Sequence, residues 1–315
     1  MKKLLKLFFV IFLLVFLYAC DDTNNQKAGK DTPFIGGQSG LSVQFLDDAP
    51  PAEVFDRGQF PFNIELKLLN KGEAEVKKGD VLVKISGLNP SDFGKTESFF
   101  IKNGIDEDIL AMYKDFEGNI IKPNDVIVTF PNLNFKDKLT GNFKTKIRAD
   151  VCYNYNTQAI TTGCIKPDPV RENPNDICTV KEAKTIYNSA APIQIESFEE
   201  LPSGTDRVRY VFKIKHVGSG KVYSPKSKCP ETRENLNKLY FKLWFPGEAS
   251  IDFTCAGLEG GQAKEGYVIL RDGEATIRCT QNQVSNIVFS QRMQIQLDYD
   301  YMESTDKELL VKKSD

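Results

Sequence analysis

Apolar and polar residues alternate along most of the chain beyond residue 41. In the stretch 62–68, apolar side chains occupy every second position and polar side chains lie between them. This period of two places one face of a β-strand on a core and the other face in water. The same alternation recurs at 81–85, 126–128 and 143–151. The pattern predicts an all-β protein, with one short helix candidate from Asp106 to Lys114 in which Asp106 is the N-cap.

The second half of the chain repeats the pattern of the first half. Positions 62, 64, 66, 68, 70, 72 and 76 match positions 208, 210, 212, 214, 216, 218 and 222, at a shift of 146 residues. A second match places 147–151 on 295–299, at a shift of 148 residues. Gly72 and Gly218 each follow a core strand, at a point where a tight turn favours glycine. The repeat predicts two copies of one β-domain.

The length of the chain, 315 residues, is enough for two domains of ordinary size. We expect each to be an immunoglobulin-like β-sandwich of about seven short strands. The predicted segments are a signal peptide (1–20), a flexible tether (21–40), the first sandwich (41–165), a proline-rich and cysteine-containing linker (166–190) and the second sandwich (191–315).

The N-terminal segment has a basic start and an apolar run from Leu7 to Ala19, which ends in Leu17-Tyr18-Ala19-Cys20. It resembles a bacterial-type lipoprotein signal peptide. The resemblance implies that Cys20 is lipidated and becomes the mature N-terminus, so that the protein is anchored to the outer face of the cytoplasmic membrane. An uncleaved anchor and an ordinary secretion signal are the alternatives. All three interpretations place the rest of the chain outside the cytoplasm.

Six further cysteines all lie in the second half of the chain: Cys152, Cys164, Cys178, Cys229, Cys255 and Cys279. An even number in an exported chain predicts three disulfides. The spacings lack the close cysteine pairs of a zinc site, and we expect no bound metal. Several pairings are open. The positions relative to the predicted strands favour Cys152–Cys164, Cys178–Cys229 and Cys255–Cys279.

The sequence contains little that points to catalysis. His216 is the only histidine. It matches Asn70 in the repeat, and we expect it to bond to the turn backbone. Serine and cysteine nucleophiles would have no other histidine as a base. Asp298 and Asp300 are expected to face solvent. We therefore predict no enzymatic activity and no cofactor, and a hydrolase using two carboxylates is the third choice. With 41 basic and 43 acidic residues, the chain shows no nucleic-acid-binding character.

Two long connections are candidates for binding, because long loops on rigid sandwiches often carry function. One runs from Leu88 to Pro123, and the other spans 225–238. The apolar residues of the first are Phe99, Phe100, Ile109, Leu110 and Tyr113. The alternative interpretation is that they cap the open end of the sandwich.

The strand-turn-strand unit around Asn70, Gly72 and Val76 resembles that of CARDB-type domains, which are immunoglobulin-like, adhesion-related modules of bacterial and archaeal surface proteins. In the second copy His216 replaces the asparagine. The whole layout is similar to that of uncharacterised archaeal and bacterial envelope proteins. The resemblance implies a non-enzymatic protein for adhesion or assembly, whose partners are the membrane and other envelope proteins.

The alternative is a surface lipoprotein that binds a ligand with the loop 88–123. The two functions predict different surfaces. An unpaired strand edge or a flat exposed patch would favour protein assembly. An apolar pocket with a few convergent polar groups would favour a ligand.

Overall fold

The computed structural model describes residues 32–247, 253–282 and 285–314, and within them the all-β prediction is confirmed. The first half contains β1 (Leu41–Phe45), β2 (Glu53–Phe55), β3 (Phe62–Asn70), β4 (Val81–Ser86), β5 (Ile101–Asn103), β6 (Tyr113–Lys114), β7 (Ile120–Ile121), β8 (Val126–Leu133) and β9 (Phe143–Ile165). Short 3-10 turns lie at Lys78–Asp80, Pro90–Phe93 and Glu97–Phe100. Strand β3 alternates strictly between buried and half-buried side chains, as its sequence predicts.

The second half contains β10 (Glu182–Ala183), β11 (Tyr187–Asn188), β12 (Ile193–Pro202), β13 (Arg207–His216), β14 (Lys221–Tyr223), β15 (Lys238–Trp244), β16 (Phe253–Ala256), β17 (Glu259–Gln262), β18 (Glu265–Ile269), β19 (Glu274–Asn282) and β20 (Phe289–Lys312). Strands β3 and β13 occupy the two segments that the repeat matches. The two copies of the pattern therefore form corresponding strands.

Two small sheets pack on one large sheet. The small sheets have the strand orders β1-β3-β8 and β10-β12-β13-β19-β16. The large sheet has the order β17-β18-β15-β20-β9-β4-β5, and β2, β11 and β14 pair with its long strands. Strands β6 and β7 form a separate hairpin. Apolar side chains from all three larger sheets make one continuous core.

Strands β9 and β20 join the two halves. They pair antiparallel along almost their whole length, from Phe143 opposite Val311 to Ile165 opposite Phe289. One end of each strand therefore lies under the first small sheet and the other end under the second. The predicted first domain ends at residue 165, where β9 ends, and the predicted second domain ends at residue 315, just after β20. Both of these strands belong to the sheet that the two halves share.

Four buried tyrosines mark the centre of this arrangement. Tyr155 lies opposite Tyr299, and Tyr153 lies opposite Tyr301. The Tyr155 hydroxyl donates to Asn70 Oδ1 at 3.1 Å and accepts from the amide of Ala74 at 3.3 Å. This bond ties the long strand to the first-half turn.

Tyr301 makes the corresponding contacts in the second half. Its hydroxyl lies 2.8 Å from His216 Nε2 and accepts from the amide of Gly220 at 2.7 Å. Tyr155 and Tyr301 are therefore equivalent positions of the repeat (mates), at a shift of 146 residues. The shift of 148 predicted for this strand is wrong by two residues, because a period-two pattern fits equally well after a slip of two positions.

The predicted helix at 106–114 is wrong. Ile109 instead bonds to Val76 in both directions, at 2.8 and 3.0 Å, and its side chain is buried. The carboxylate of Asp108 accepts from the amide of Lys78 at 2.8 Å. This side chain therefore satisfies a neighbouring loop instead of beginning a helix.

The described parts of the predicted tether and linker make specific contacts with the rest of the fold. Residues 1–31, which include Cys20, lie outside the described residues. From Ile35 onward the predicted tether is docked, because the amides of Ile35 and Gly36 donate to the Glu73 carboxylate. The predicted linker 166–190 contains β10 and β11, which pair with β12 and β9. Two-residue strands are too short to show an alternating pattern.

All six cysteines form disulfides, but two predicted pairings are wrong. The pairs are Cys152–Cys229, Cys164–Cys178 and Cys255–Cys279, of which the third was predicted. Cys152 and Cys164 lie on the single strand β9. At ~3.3 Å per residue, a separation of this length keeps their sulfurs roughly 40 Å apart. The turn that their predicted bridge requires does not exist.

Candidate functional site

Three of the five apolar residues predicted to form a binding loop belong to the core. Phe100 and Ile109 are buried, and Phe99 is half-buried. The Phe99 ring lies 5.2 Å from that of Phe100 and 6.3 Å from that of Phe130 on β8. These three residues cap the sandwich, as the alternative interpretation proposed.

The other two residues of the set are exposed, Tyr113 on strand β6 of the β6–β7 hairpin and Leu110 three residues before it. Leu110 is 58% exposed and Tyr113 is 57% exposed. The structure adds two residues that the sequence analysis missed. Ile121 lies opposite Tyr113 in the hairpin, and Phe116 at its tip is 96% exposed. We call Leu110, Tyr113, Phe116 and Ile121 the apolar hairpin.

The turn of the apolar hairpin is held by one carboxylate. Asp115 accepts from the amides of Glu117 and Asn119 at 2.9 and 2.8 Å, and from Asn119 Nδ2 at 3.0 Å. The hydrogen bond from the Asn119 side chain, followed by that from its amide, lowers the pKa of Asp115. The turn is therefore fixed while Phe116 projects into solvent. The pattern Asp-Phe-Glu-Gly-Asn is a turn signal that could have identified this hairpin.

The connection 225–238 does not form an open loop. It lies on the outer face of the large sheet, where Asp300 is buried. One oxygen of Asp300 accepts from the amide of Lys226 at 2.9 Å, and the other accepts from the amide of Lys228 at 2.6 Å. Asn154 Nδ2 adds a bond of 2.9 Å. The prediction that Asp300 faces solvent is wrong, because the loop covers the face on which it stands.

Asp298, the other residue of that predicted pair, is half-buried. Burial raises its pKa, although Gln296 donates a hydrogen bond of 2.7 Å to it. Asp300 forms the one group of potential metal ligands found among the described residues, with Cys152 and Cys229. Both sulfurs of that group are joined in a disulfide, and the oxygens of Asp300 already accept hydrogen bonds.

His216 is part of the fold's hydrogen bonding. It bonds to the Tyr301 hydroxyl and reaches the turn through that group, not directly as predicted. Burial lowers the pKa of His216. The neutral ring is therefore favoured. His216 therefore supports the second-half turn, as Asn70 supports the corresponding turn in the first half.

Glu200 is the acid whose ionisation the structure perturbs most clearly. Burial raises its pKa to about 7, against the attraction of Lys184. Its oxygens accept from the amide of Cys164 at 2.9 and 3.0 Å, and Lys184 Nζ lies 3.0 Å away. The Glu200 side chain has no exposed surface, so it cannot meet a substrate in this conformation. Its perturbed pKa reflects a structural role.

The cavity nearest the predicted binding loop is small. It has a volume of about 250 Å³ and lies between 84–90 and 97–101. Pockets for drug-sized ligands have volumes of about 300–1,000 Å³. An open groove of about 450 Å³ lies elsewhere, between 38–43 of the first half and the turn 217–219 of the second.

Within the described residues, no helix has the length and apolar character needed to cross a membrane. Comparison with known proteins gave no family model and no curated protein that matches the chain. The crystal structure of envelope protein VP37 from White Spot Syndrome Virus is similar at 9% identity and a TM-score of 0.23, over 48% of this chain and 98% of that one. The GH31 alpha-xylosidase of Xanthomonas citri is similar at 8% identity and a TM-score of 0.15, over 87% of this chain and 28% of that one.

Proposed function

We propose that this protein is an exported, lipid-anchored component of a cell envelope, without enzymatic activity, that serves adhesion or assembly with other envelope proteins. The observation that carries the proposal is the apolar hairpin. Exposed apolar surface on a rigid support is typical of contact sites between proteins. Phe116, at 96% exposure, is the most exposed large apolar side chain among the residues that the structure describes.

Two features support export and anchoring. Three disulfides are characteristic of proteins that fold in oxidising compartments. The sequence Leu17-Tyr18-Ala19-Cys20 resembles the end of a lipoprotein signal peptide. The likeness of the 70–76 unit to CARDB-type domains fits the same proposal.

The shape of the first-half loop favours a protein partner over a small ligand. Its aromatic residues at 99 and 100 pack on the core, and the cavity beside them is small. The exposed residues lie on a hairpin that projects from the surface. A projecting surface suits a contact with another large molecule, whereas a small ligand requires a concavity.

The hairpin is tested by binding to purified envelope fragments from the source cells, measured by co-sedimentation. Phe116→Ser removes the most exposed aromatic ring and should lower the bound fraction about tenfold, as expected for the loss of an interface hot spot. Ile177→Ser is the matched control, because Ile177 is 72% exposed and lies in the 166–190 segment. Equal loss in both variants, or no loss in either, would contradict the proposal.

The anchor is tested separately by the intact mass of the protein extracted from membranes. A chain that begins at Cys20 and carries a diacylglyceryl group is the expected result. A full-length, unlipidated chain would refute the anchor but would leave the result for the hairpin unchanged.

A further inference from the structure

The first strands of the two halves correspond residue by residue. Leu41 of β1 lies opposite Asn70, and Ile193 of β12 lies opposite His216. Since Asn70 and His216 are mates in the repeat, the same register makes Val43 the mate of Ile195. The two strands therefore offer the same backbone groups at the same place in each half.

In the second half, the outer edge of β12 is closed by the chain itself. The Ile195 amide donates to Asn188 Oδ1 at 2.9 Å, and its carbonyl accepts from Asn188 Nδ2 at 3.0 Å. Asn188 belongs to β11, which pairs with β9, and the amide of Ser189 donates to Gln158 there at 2.8 Å. The segment 185–191 thus fills the space between β12 and β9.

In the first half, the outer edge of β1 is open at Val43, whereas the outward amide of Leu41 donates to the Tyr153 hydroxyl at 3.0 Å. The bonds of β1 to β3 use Gly40 and Leu46, whose partners are Lys71 and Glu65 at 2.9 and 3.0 Å. Bonding alternates along an antiparallel pair, so the amide and carbonyl of Val43 point away from β3. Within the described chain, β1 pairs with β3 alone, and the outward groups of Val43 have no hydrogen-bond partner.

The open edge faces the groove of about 450 Å³. Residues 38–43 form one wall, and 217–219 with Glu303 form the other. The corresponding place in the second half is closed by Glu73, whose carboxylate accepts from the amide of Ala190 at 2.7 Å. The mate of Glu73 is Ser219, which is exposed and too short to close the gap.

The chain that could have filled this groove is held elsewhere. By the repeat, the residues before β1 correspond to 185–191. These residues instead lie beside 190–191 of the second half. The amides of Ile35 and Gly36 donate to the Glu73 carboxylate, which also binds Ala190, at 2.8 and 3.1 Å. The amide of Ala191 also donates to Gly37, at 3.2 Å. The Glu73 carboxylate thus binds both segments, and among the described residues neither segment enters the first groove.

We infer that this groove is a docking site for an extended polypeptide segment of another protein, which adds to the outer edge of β1 as 185–191 adds to that of β12. Unpaired main-chain groups on a strand edge recognise an extended main chain. The filled copy indicates the chemistry of the occupant. It is a short strand with a side-chain amide opposite Val43 and small residues beside the turn 217–219.

This inference specifies the kind of partner for the proposed assembly role, and it does not depend on the lipid anchor or on the apolar hairpin. The probe is a synthetic peptide with the sequence of residues 185–191, capped at both ends and labelled. Its binding to the full chain in detergent is measured by fluorescence anisotropy. Hydrogen exchange of 41–46 reports where it binds. We expect saturable binding with slower exchange in that segment.

Two variants test the location. Val43→Pro deletes the outward amide without removing a bond to β3, and proline is tolerated at such an edge position. It should weaken binding about tenfold, which is the effect of losing about one hydrogen bond. Ser219→Trp blocks the groove from the opposite wall without touching β1, so it tests the site even where Val43→Pro disturbs the strand. Gln44→Ala is the matched control, because that exposed side chain lies on the outer face of β1.

A peptide in which the residue corresponding to Asn188 is replaced by alanine should also bind about tenfold more weakly. Absence of saturable binding at millimolar peptide would overturn the inference. Binding that neither Val43→Pro nor Ser219→Trp weakens would overturn it as well. Phe116→Ser should leave peptide binding unchanged, so failure here is distinct from failure of the hairpin in the envelope assay.

Discussion

The two halves of the molecule are built from corresponding strands, but their long connections differ in exposure. In the first half, the hairpin 113–121 projects and leaves Phe116 in solvent. In the second half, the connection 224–237 is folded flat on the large sheet, tied by the Cys152–Cys229 disulfide and by Asp300. The first half therefore presents an exposed apolar hairpin, whereas the connection of the second half, which we call the brace, is tied down on the sheet.

The outer edges of the two small sheets also differ in exposure, and again the first half has the more open one. The second half closes the edge of β12 with Asn188, whereas the first half leaves β1 open at Val43. Both exposed features, the apolar hairpin and the open edge, therefore lie in the first half. The proposed contact sites therefore belong to the first half, and the predictions below test whether the second-half connection stabilises the fold.

The largest expected effect comes from opening the brace. The double variant Cys152→Ala/Cys229→Ala removes a bridge between residues 77 positions apart. A disulfide that closes a loop of this length lowers the conformational entropy of the unfolded chain, and thereby stabilises the folded protein by roughly 4 kcal/mol. We expect a loss of that order in the free energy of unfolding, measured with urea.

The matched control is Cys255→Ala/Cys279→Ala, whose bridge spans 24 positions. It should cost roughly 3 kcal/mol, because the closed loop is shorter. A much larger loss for the shorter bridge would contradict the view that the longer one braces the second half.

A smaller effect is expected at the carboxylate under the brace. Asp300→Ala removes the buried carboxylate that accepts the part-buried hydrogen bonds from the amides of Lys226 and Lys228. Hydrogen bonds to a charged group contribute about 1–3 kcal/mol. We expect urea unfolding to show such a loss.

The control for Asp300→Ala is its repeat mate, Asn154→Ala. Asn154 donates to Asp300 and to the carbonyl of Tyr299 but receives no bond from the loop. It should therefore cost less. Equal losses would mean that Asp300 does not hold the loop.

The sequence predicted the strands better than it predicted their surroundings. Alternation located β3 and β13, and the repeat identified the turns after them. Parity also put Asp300 on the outer face of β20. Exposure could not be derived from parity, because a loop from elsewhere in the chain covers that face. Parity specifies the side of a sheet, and tertiary contacts decide whether that side meets water.

The candidate site was predicted only in part for a related reason. The apolar residues of 88–123 form a single set in the sequence, but Ile109 is buried against Val76 while Leu110 beside it is exposed. A single isolated β-bridge, such as that between Ile109 and Val76, gives no alternating pattern in the sequence and therefore no signal for this division. The open edge of β1 was invisible for a different reason, since it depends on where a distant segment docks.

The smallest expected effect concerns one difference between the two turns, His216 in place of Asn70. Burial lowers the pKa of His216 in the folded protein. The unfolded chain therefore takes up the proton first, so this contribution to stability is present above about pH 6.5 and is lost as the pH falls through the folded pKa. We expect wild-type protein to lose less than about 1 kcal/mol between about pH 8 and pH 5 through this group, because the ring is only half-buried.

His216→Asn copies the first-half residue and should remove this part of the pH dependence, measured as urea midpoints across the same range. The control is Asn70→Ala. It removes the hydrogen bond that Asn70 accepts from the Tyr155 hydroxyl and the one that it donates to the Ala74 carbonyl, and should lower stability by a similar amount at every pH. An unchanged pH profile in His216→Asn would show that His216 does not make the second-half turn more sensitive to acid than Asn70 makes the first-half turn.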